Sequence, residues 1–385
     1  MKKLALASAC FAFAAVVSAA PAGNTPDGIE RGPYFSGTIK TSFPVANNLA
    51  MKGIVVSVGA NRDVHVCYDT DLLRVSVAWA GDYLKFGKSQ VEIIHPQPPE
   101  VMGKPLFGSQ PGPGWAKDGK FEDPRENKQG RLPTAWAKYR GLYLNGWNVV
   151  LKYTVGGAEV LETPGVETVG DAKIVTRTFE LNSPAAQTLL VCDNVPSGGA
   201  AGAKLMLDLP VAGNAPPQSL AIAVQGGKGV TLANVDGRVV ARIPAGKQSF
   251  RIALWKGEKA AFAPVEAALN SAVKLPSLAA LTKGAAGRWT EPVVTHGVLG
   301  TNAGPYVVDD LTPPVPNPWN SKTFFSGFDF LPDGRAVVSC FHGDVWTVSG
   351  LDDTLAKLTW KRFATGLFQP LGVKVVNGQI YVTCR

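Results

Sequence analysis

An all-β chain is what this sequence predicts, and three observations carry the prediction. Apolar and β-branched residues come in short runs, such as Val64 to Tyr68 and Arg238 to Ile243, of strand rather than helix length. Gly and Pro number 42 and 29 among 385 residues, enough to punctuate such runs with turns, while sustained helical periodicity is almost absent. Asp236-Gly237, Gly156-Gly157 and Asn377-Gly378 each stand between two runs, where a tight hairpin turn needs residues that tolerate positive φ.

The chain opens with Met1-Lys2-Lys3, an apolar run from Leu4 to Val17 and the small residues Ser18-Ala19-Ala20. That order of charge, apolar stretch and small residues predicts a Sec-type signal peptide over residues 1–19, cut after Ala19, and hence a periplasmic or secreted protein. No other segment reaches the length of apolar run that a spanning helix needs, so no membrane span is expected after cleavage. The formal charge of +8 falls to +6 when Lys2 and Lys3 leave, and the cations are scattered. The pattern carries no nucleic-acid footprint. With 45% hydrophobic and 18% charged residues the chain buries sizeable cores and is not disordered.

Strand-like runs follow at 53–58, 64–68, 73–79, 148–155, 174–181, 189–192, 204–209, 220–224, 229–232, 238–243 and 249–255. Their spacing predicts a β-sandwich-like module over residues 30–262, interrupted by a long Pro-, Gly- and charge-rich loop at 95–132. Residues 263–322 read as a connector with two short helices, Val265 to Ala272 and Ser277 to Lys283, the second N-capped by Ser277 and stopped by Gly284. The Pro-rich Leu311 to Trp319 stretch then runs extended.

From residue 323 the runs tighten. Phe324 to Phe330, a Pro332-Asp333-Gly334 turn, Arg335 to Cys340, a Gly343-Asp344 turn and Val345 to Val348 make successive hairpins, and Val373 to Val376 and Gln379 to Thr383 flank Asn377-Gly378. This is the pattern of a β-propeller blade. A propeller takes roughly four to eight such four-stranded blades, so residues 323–385 are expected to be the first blade of an incomplete propeller and the chain the front of a longer protein.

Candidate chemistry is sparse. Once the leader is removed, Cys67, Cys192, Cys340 and Cys384 remain, and in an oxidising compartment two disulfides and buried free thiols both fit their strand-like settings. No C-x-x-C, P-loop or G-x-S-x-G spacing occurs. Asp69 and Asp71 form a D-x-D pair, but Leu73 and Arg74 stand where a calcium loop needs an oxygen ligand and a glycine; the plainer expectation is that Asp69 ends a strand and caps a turn while Asp71 pairs with Arg74 or an arginine nearby. His65 and Cys67 share a strand face but supply only two ligands, which favours a buried structural pair. In the long loop Trp115 is a candidate platform for a sugar face, with Lys117, Asp118, Asp123 and Arg125 to bond its hydroxyls; against it stands a Trp packed into the core. In the blade, His342 is a candidate near a channel mouth, and Asp344 and Trp346 read as a turn residue and a packed aromatic.

The run Gly327-Phe328-Asp329-Phe330, Asp333-Gly334, Gly343-Asp344-Val345-Trp346 and Gly366-Leu367-Phe368-Gln369-Pro370-Leu371-Gly372 resembles the first propeller blade of large exported bacterial proteins similar to sorbosone and soluble glucose dehydrogenases, often with a haem c domain. Tyr68 to Arg74, Pro111 to Gly119 and Gly141-Leu142-Tyr143-Leu144 resemble the N-terminal region of the same proteins. The blade departs from that family at Phe341-His342, where a Trp and a small polar residue are expected. The resemblance implies a parent protein that oxidises a sugar or aldehyde with pyrroloquinoline quinone (PQQ) and passes electrons to haem c, its catalytic His and Arg lying on loops of several blades. It implies that this chain alone carries no cofactor and is inactive as a dehydrogenase. The alternative is a carbohydrate-binding or structural docking module without redox chemistry.

Overall fold

A computed structural model describes residues 28–86, 97–211 and 213–385; the leader at 1–19, Cys10 and His95 lie outside the described residues. Strands make up 50% of the structure and helices 5%, so the chain is all-β. Among the described residues no helix is long and apolar enough to cross a membrane.

The first sheet has seven strands: β1 (Tyr34–Thr41), β2 (Asn48–Val58), β3 (Val64–Asp69), β4 (Arg74–Ala80), β5 (Leu84–Lys85), β6 (Glu100–Val101) and β7 (Lys104–Gly108), in the order β5-β6-β1-β2-β3-β4-β7. Its neighbours pair antiparallel except β1 and β6, which are parallel at Lys40 and Glu100. Strands β6 and β7 correct the expectation of a strandless loop from 95 to 132. The two-residue β6 is too short to show alternation, and the Lys-Pro start of β7 reads as a turn. Strand β3 is buried along its length because the sheet is covered on both faces. Val64, Val66 and Tyr68 enter the main core, whereas Cys67 joins Val77 and Trp79 in a second core closed by Phe35, Leu84, Phe86 and Phe368.

The next ten strands complete the N-terminal region with a second sheet and a small one: β8 (Ala137–Asn145), β9 (Asn148–Val155), β10 (Ala158–Val169), β11 (Ala172–Ser183), β12 (Gln187–Cys192), β13 (Lys204–Leu209), β14 (Gln218–Gly226), β15 (Thr231–Val235), β16 (Arg238–Ile243) and β17 (Gly246–Glu258). The second sheet runs β13-β14-β17-β11-β10-β9-β8, and β12-β16-β15 form a three-stranded sheet. Its apolar residues, among them Leu151, Val160, Phe179 and Ile252, meet Ile54, Val56 and Val66 of the first sheet in one core. Within that core Glu162 accepts from Arg177 Nε at 2.7 Å and from the Tyr153 hydroxyl at 2.8 Å, which keeps its carboxylate satisfied away from water. Helix α1 (Phe262–Asn270) lays Val265 and Leu269 on the outer face of the second sheet against Ile174, Ala223 and Trp255. It starts earlier than the expected Val265 and ends before Ala272. Helix α2 (Leu278–Leu281) is N-capped as the sequence suggests, Ser277 Oγ accepting from the Ala280 amide at 3.3 Å.

The C-terminal region holds β18 (Val293–Thr295), β19 (Gly297–Val298), β20 (Asp310–Leu311), β21 (Phe325–Phe330), β22 (Ala336–Cys340), β23 (Val345–Ser349), β24 (Leu358–Ala364), β25 (Pro370–Val376) and β26 (Gln379–Cys384). A five-stranded sheet runs β18-β24-β23-β22-β21, with β25-β26 a separate hairpin. The connector is therefore not a mere link: it supplies β18, whose Val294 pairs with Thr359. Three residues sitting next to Pro292 gave that strand no sequence signature. Trp346, Trp360, Val338 and Leu358 form the core of this sheet.

The two regions are joined through one guanidinium. Arg362, 1% exposed, donates from Nη1 to Glu30 Oε2 and from Nη2 to the Glu30 carbonyl, both at 2.7 Å, and its Nε and Nη2 reach the two oxygens of Asp344 at 2.9 and 2.8 Å. Thr365 Oγ1 donates to Asp344, and Trp289 Nε1 and the Gly32 amide donate to Glu30. A backbone bond from the Ser36 amide to the Gly366 carbonyl, 2.7 Å, runs alongside. Removing a buried ion-pair partner costs about 3–5 kcal/mol because the remaining charge is stranded. Arg362→Ala, which strands two carboxylates, should cost at least that much in urea unfolding. Arg362→Lys, unable to span both acids, should cost more than half as much. A loss below about 1 kcal/mol for the alanine variant would remove the junction from any structural role.

Candidate functional site

The loop that follows β7 is drawn into the core rather than presented to solvent. The Gly114 amide donates to the Leu72 carbonyl and its own carbonyl accepts from the Leu190 amide, each at 2.8 Å. A Cβ on Gly114 would stand 2.0 Å from the Leu73 carbonyl oxygen, so only glycine fits between the β3–β4 turn and β12. The next residue, Trp115, is consequently 1% exposed, bridged to Leu189 and packed edge-on against Tyr153. This corrects the expectation of a sugar platform: the indole is core, and its neighbouring Pro and Gly residues serve close backbone approach. Lys117 and Asp118 lie on an exposed turn closed by reciprocal bonds between Lys117 and Lys120, with positive φ at Asp118 and Gly119.

Three of the other candidates do converge. A cleft of about 730 Å³ lies between β2, the β3–β4 turn, the long loop and the C-terminal segment, and Asp69, Asp71 and Arg125 line it. Lys52, Lys128, Asn47, Gln129, Met51 and Phe368 are also part of its wall. Volume and lining suit a small polar ligand with one apolar face.

Asp69 ends β3 directly opposite Arg74 in the register, and Arg74 Nε donates to its Oδ2 at 3.1 Å with both side chains buried. Of the two partners expected for Asp71, Arg74 or an arginine nearby, the strand register gives Arg74 to Asp69, because the intervening turn folds residues 69 and 74 face to face, and leaves Asp71 to the charges of Arg125 and Arg131. The same guanidinium donates from Nη2 to Asn48 Oδ1 at 2.9 Å and from Nη1 to the Ser109 carbonyl, which ties β2 and the start of the loop to the pair. Burial raises the Asp69 carboxyl above its ordinary value, with Arg74 opposing.

Asp71 stands half-buried in the turn, where burial also raises it while Lys52, Arg125 and Arg131 pull it down. Asp123 and Arg125 form a local clamp, Nε to Oδ1 at 2.9 Å and Nη2 to Oδ2 at 2.8 Å, with the remaining Nη1 on the Gly130 carbonyl. Those bonds hold the Asp123 carboxyl below its usual range. The clamp fixes the loop so that Arg125 meets Asp71 across the cleft. Asp123 supports this wall without lining it. Neither Lys52, which β2 brings beside Asp69, nor Phe368, which arrives on the loop between β24 and β25, is among the candidate site residues read from the sequence.

His342 is not part of this constellation. It sits half-buried in the β22–β23 turn with its ring edge-on to Phe324 and Phe341. Asp344 and Trp346 hold the sheet together, the first through Arg362 and the second inside the apolar core. His65 hydrogen-bonds to Ser57 Oγ at 2.9 Å and to the Gly81 carbonyl at 3.1 Å, and burial lowers its pKa to about 4, so it is a neutral structural imidazole. Among the described residues no group of three His, Cys, Asp or Glu could hold a metal ion.

The four cysteines among the described residues are free, with Cys67, Cys192 and Cys340 buried and Cys384 exposed. The open choice between bridges and buried thiols therefore resolves to thiols, three of them inside cores. Iodoacetamide at pH 8 should label Cys384 alone among the four in the folded protein and all four in urea, as read by peptide mass spectrometry. Rapid labelling of Cys67 or Cys192 without denaturant would contradict their packing. Burial pushes both thiols up from 9.0 to about 12. The unfolded chain thus loses these protons first, and stability should fall as pH rises above 9.

Comparison with known families gives one match: the model described as a domain of unknown function (DUF6797) matches residues 66–162, the stretch from within β3 to the first five residues of β10. It encloses Asp69, Asp71, Arg74, Trp115, Asp123 and Arg125, and also Tyr153 and Glu162 of the buried network. No curated protein matches the chain.

Proposed function

We propose that the chain is the exported, non-catalytic front portion of a sorbosone-dehydrogenase-like oxidoreductase whose PQQ and haem c belong to other parts of the protein. The observation that carries this reading is the C-terminal region. Strands β21 to β24 make a consecutive antiparallel meander, and β25 lies beside β21 in the way a second blade would begin. Phe328, Phe330, Leu371 and Tyr381 on these strands are each at least half exposed, an apolar surface of the kind that further β-structure covers. In this reading β1 to β17 form a sandwich-like module, and the Arg362 junction fixes it rigidly to the first blade.

The cleft supports a second, compatible reading: a carbohydrate site. Asp71, Lys52 and Arg125 offer hydrogen bonds to hydroxyls beside the apolar Met51 and Phe368, the mixture that fixes a sugar by its polar edge and apolar face.

The protein isolated from its native source should be far larger than 40.6 kDa, carry a haem c absorbance and reduce a dye with sorbosone or glucose when PQQ is added. A native mass at this chain's own value without haem would end the first reading. For the second, a glycan array should return oligosaccharide ligands whose affinity drops at least tenfold in Arg125→Ala or Asp71→Asn while the melting temperature changes by less than a few degrees. An array without ligands, or binding indifferent to both changes, would exclude the cleft as a sugar site.

A further inference from the structure

The cleft between β2, the β3–β4 turn and the long loop carries more positive charge than its acids neutralise. The cations Lys52, Arg125, Lys128 and Arg385 line it, against the acids Asp69 and Asp71. Asp69 is already engaged, paired in burial with Arg74 at 3.1 Å. Arg125 is engaged as well, bound at 2.8 Å to Asp123, which does not line the cleft. With those two pairs neutral, Lys52 and Lys128 are set against a single carboxylate, that of Asp71.

Both lysines are fixed at the backbone and unoccupied at the ammonium. The Lys52 carbonyl accepts from the Thr70 amide at 3.0 Å and from Thr70 Oγ1 at 2.8 Å, which seats Lys52 beside the turn that holds Asp71. Lys128 stands in the part of the loop closed by Arg125 on the Gly130 carbonyl, and the Leu132 amide ties that part to the Asp71 carbonyl at 3.0 Å. Its φ is 50°, a conformation that glycine or asparagine adopts more readily, so the turn carries a lysine against its backbone preference. Among the described residues neither ammonium takes part in an ion pair or a hydrogen bond. Lys128 acts on Asp123, but Arg125 holds both oxygens of that acid. Burial raises the Asp71 carboxyl while Lys52, Arg125 and Arg131 all pull it down, so three cations share that one acid.

A neutral sugar leaves this excess charge unmet. A sugar bearing a carboxylate or a sulfate meets it, and keeps its hydroxyls for Asp71, Asn47 and Gln129 and its ring face for Met51 and Phe368. An ammonium is a compact point charge on a flexible stem, so the planar carboxylate and the tetrahedral sulfate suit it alike.

We propose that the cleft takes an acidic saccharide, whose carboxylate or sulfate substituent is held by Lys52 and Lys128 while its hydroxyls meet Asp71. This rests on the reading of the cleft as a sugar site and narrows its ligand class.

The test presents the full chain with neutral, uronate-bearing and sulfated oligosaccharides on one array, then titrates the best acidic binder and its uncharged form, methyl-esterified or desulfated, by calorimetry. The acidic form should bind at least about tenfold more tightly at low salt, and the gap should narrow as sodium chloride is raised. The double variant Lys52→Gln/Lys128→Gln should weaken the acidic form about tenfold and leave the uncharged form unchanged. Lys283→Gln/Lys357→Gln, which removes as much charge from exposed positions outside the cleft, should alter neither. Binding of uronates alone assigns a carboxylate, of sulfated sugars alone a sulfate ester, and of both the shared anionic chemistry. Neutral saccharides bound as tightly as acidic ones overturn the inference and leave the cleft a sugar site. Acidic saccharides bound equally well by the Lys52/Lys128 variant, or weakened as much by the Lys283/Lys357 variant, trace the affinity to the general surface charge and overturn it too. An array without any saccharide bound removes both the sugar reading and this narrowing of it.

Discussion

The architecture turns on a single buried guanidinium placed between two carboxylates. Arg362 stands on β24, Asp344 on the turn before β23 and Glu30 ahead of β1, so one side chain holds the C-terminal sheet to the entry of the N-terminal region. An isolated ion pair in such a place contributes little net stability, because desolvation cancels most of the attraction. Here the cost is offset by saturation: each acid oxygen named above has a donor, and the indoles of Trp289 and Trp319 lie within stacking range of the cation. The result is orientation more than energy, since few other arrangements satisfy both acids at once.

The same device recurs. Arg74 with Asp69 and Arg177 with Glu162 are also fully buried pairs, one at the lip of the cleft and one in the core between the large sheets. Arg74 couples the cleft directly to the packing beneath it. The turn that presents Asp71 is held at its ends by a charge pair, and that pair is held by Asn48 and Ser109 from two other segments. The polar wall of the cleft is thereby rigid, which favours a ligand that fits over one that must be moulded to.

The strand content, the hairpin turns and the second helix cap were legible because they depend on neighbours in sequence: Asp236-Gly237 and Asn377-Gly378 adopt the positive φ values that their residue types foretell. Buried ion pairs were not legible, since nothing local tells whether Arg74 will meet Asp69 or Asp71; register decides it. Trp115 misled because an aromatic among prolines and glycines has the composition of an exposed loop, and only the 2.0 Å approach at Gly114 reveals that the segment is threaded through the core. The cleft was half visible. Asp69 and Asp71 are neighbours in sequence and Lys52 reaches them through the β2–β3 pairing, whereas Arg125 and Phe368 join them by tertiary folding.

Glu30 and Arg362 are 332 residues apart, and this separation imposes an order on biogenesis. A chain emerging from its amino end presents Glu30 early and supplies its guanidinium only after the strands of both large sheets have been made. Until then the acid stays hydrated, and the face around Phe35 lacks Phe368, which closes that second core from the same late stretch of chain. Early folding intermediates therefore carry an unsealed apolar face beside a hydrated acid, the kind of surface that chaperones hold. Docking of residues 362–368 then removes both exposures in one step, so that the arrival of this segment, rather than formation of the first sheet, closes that face against aggregation.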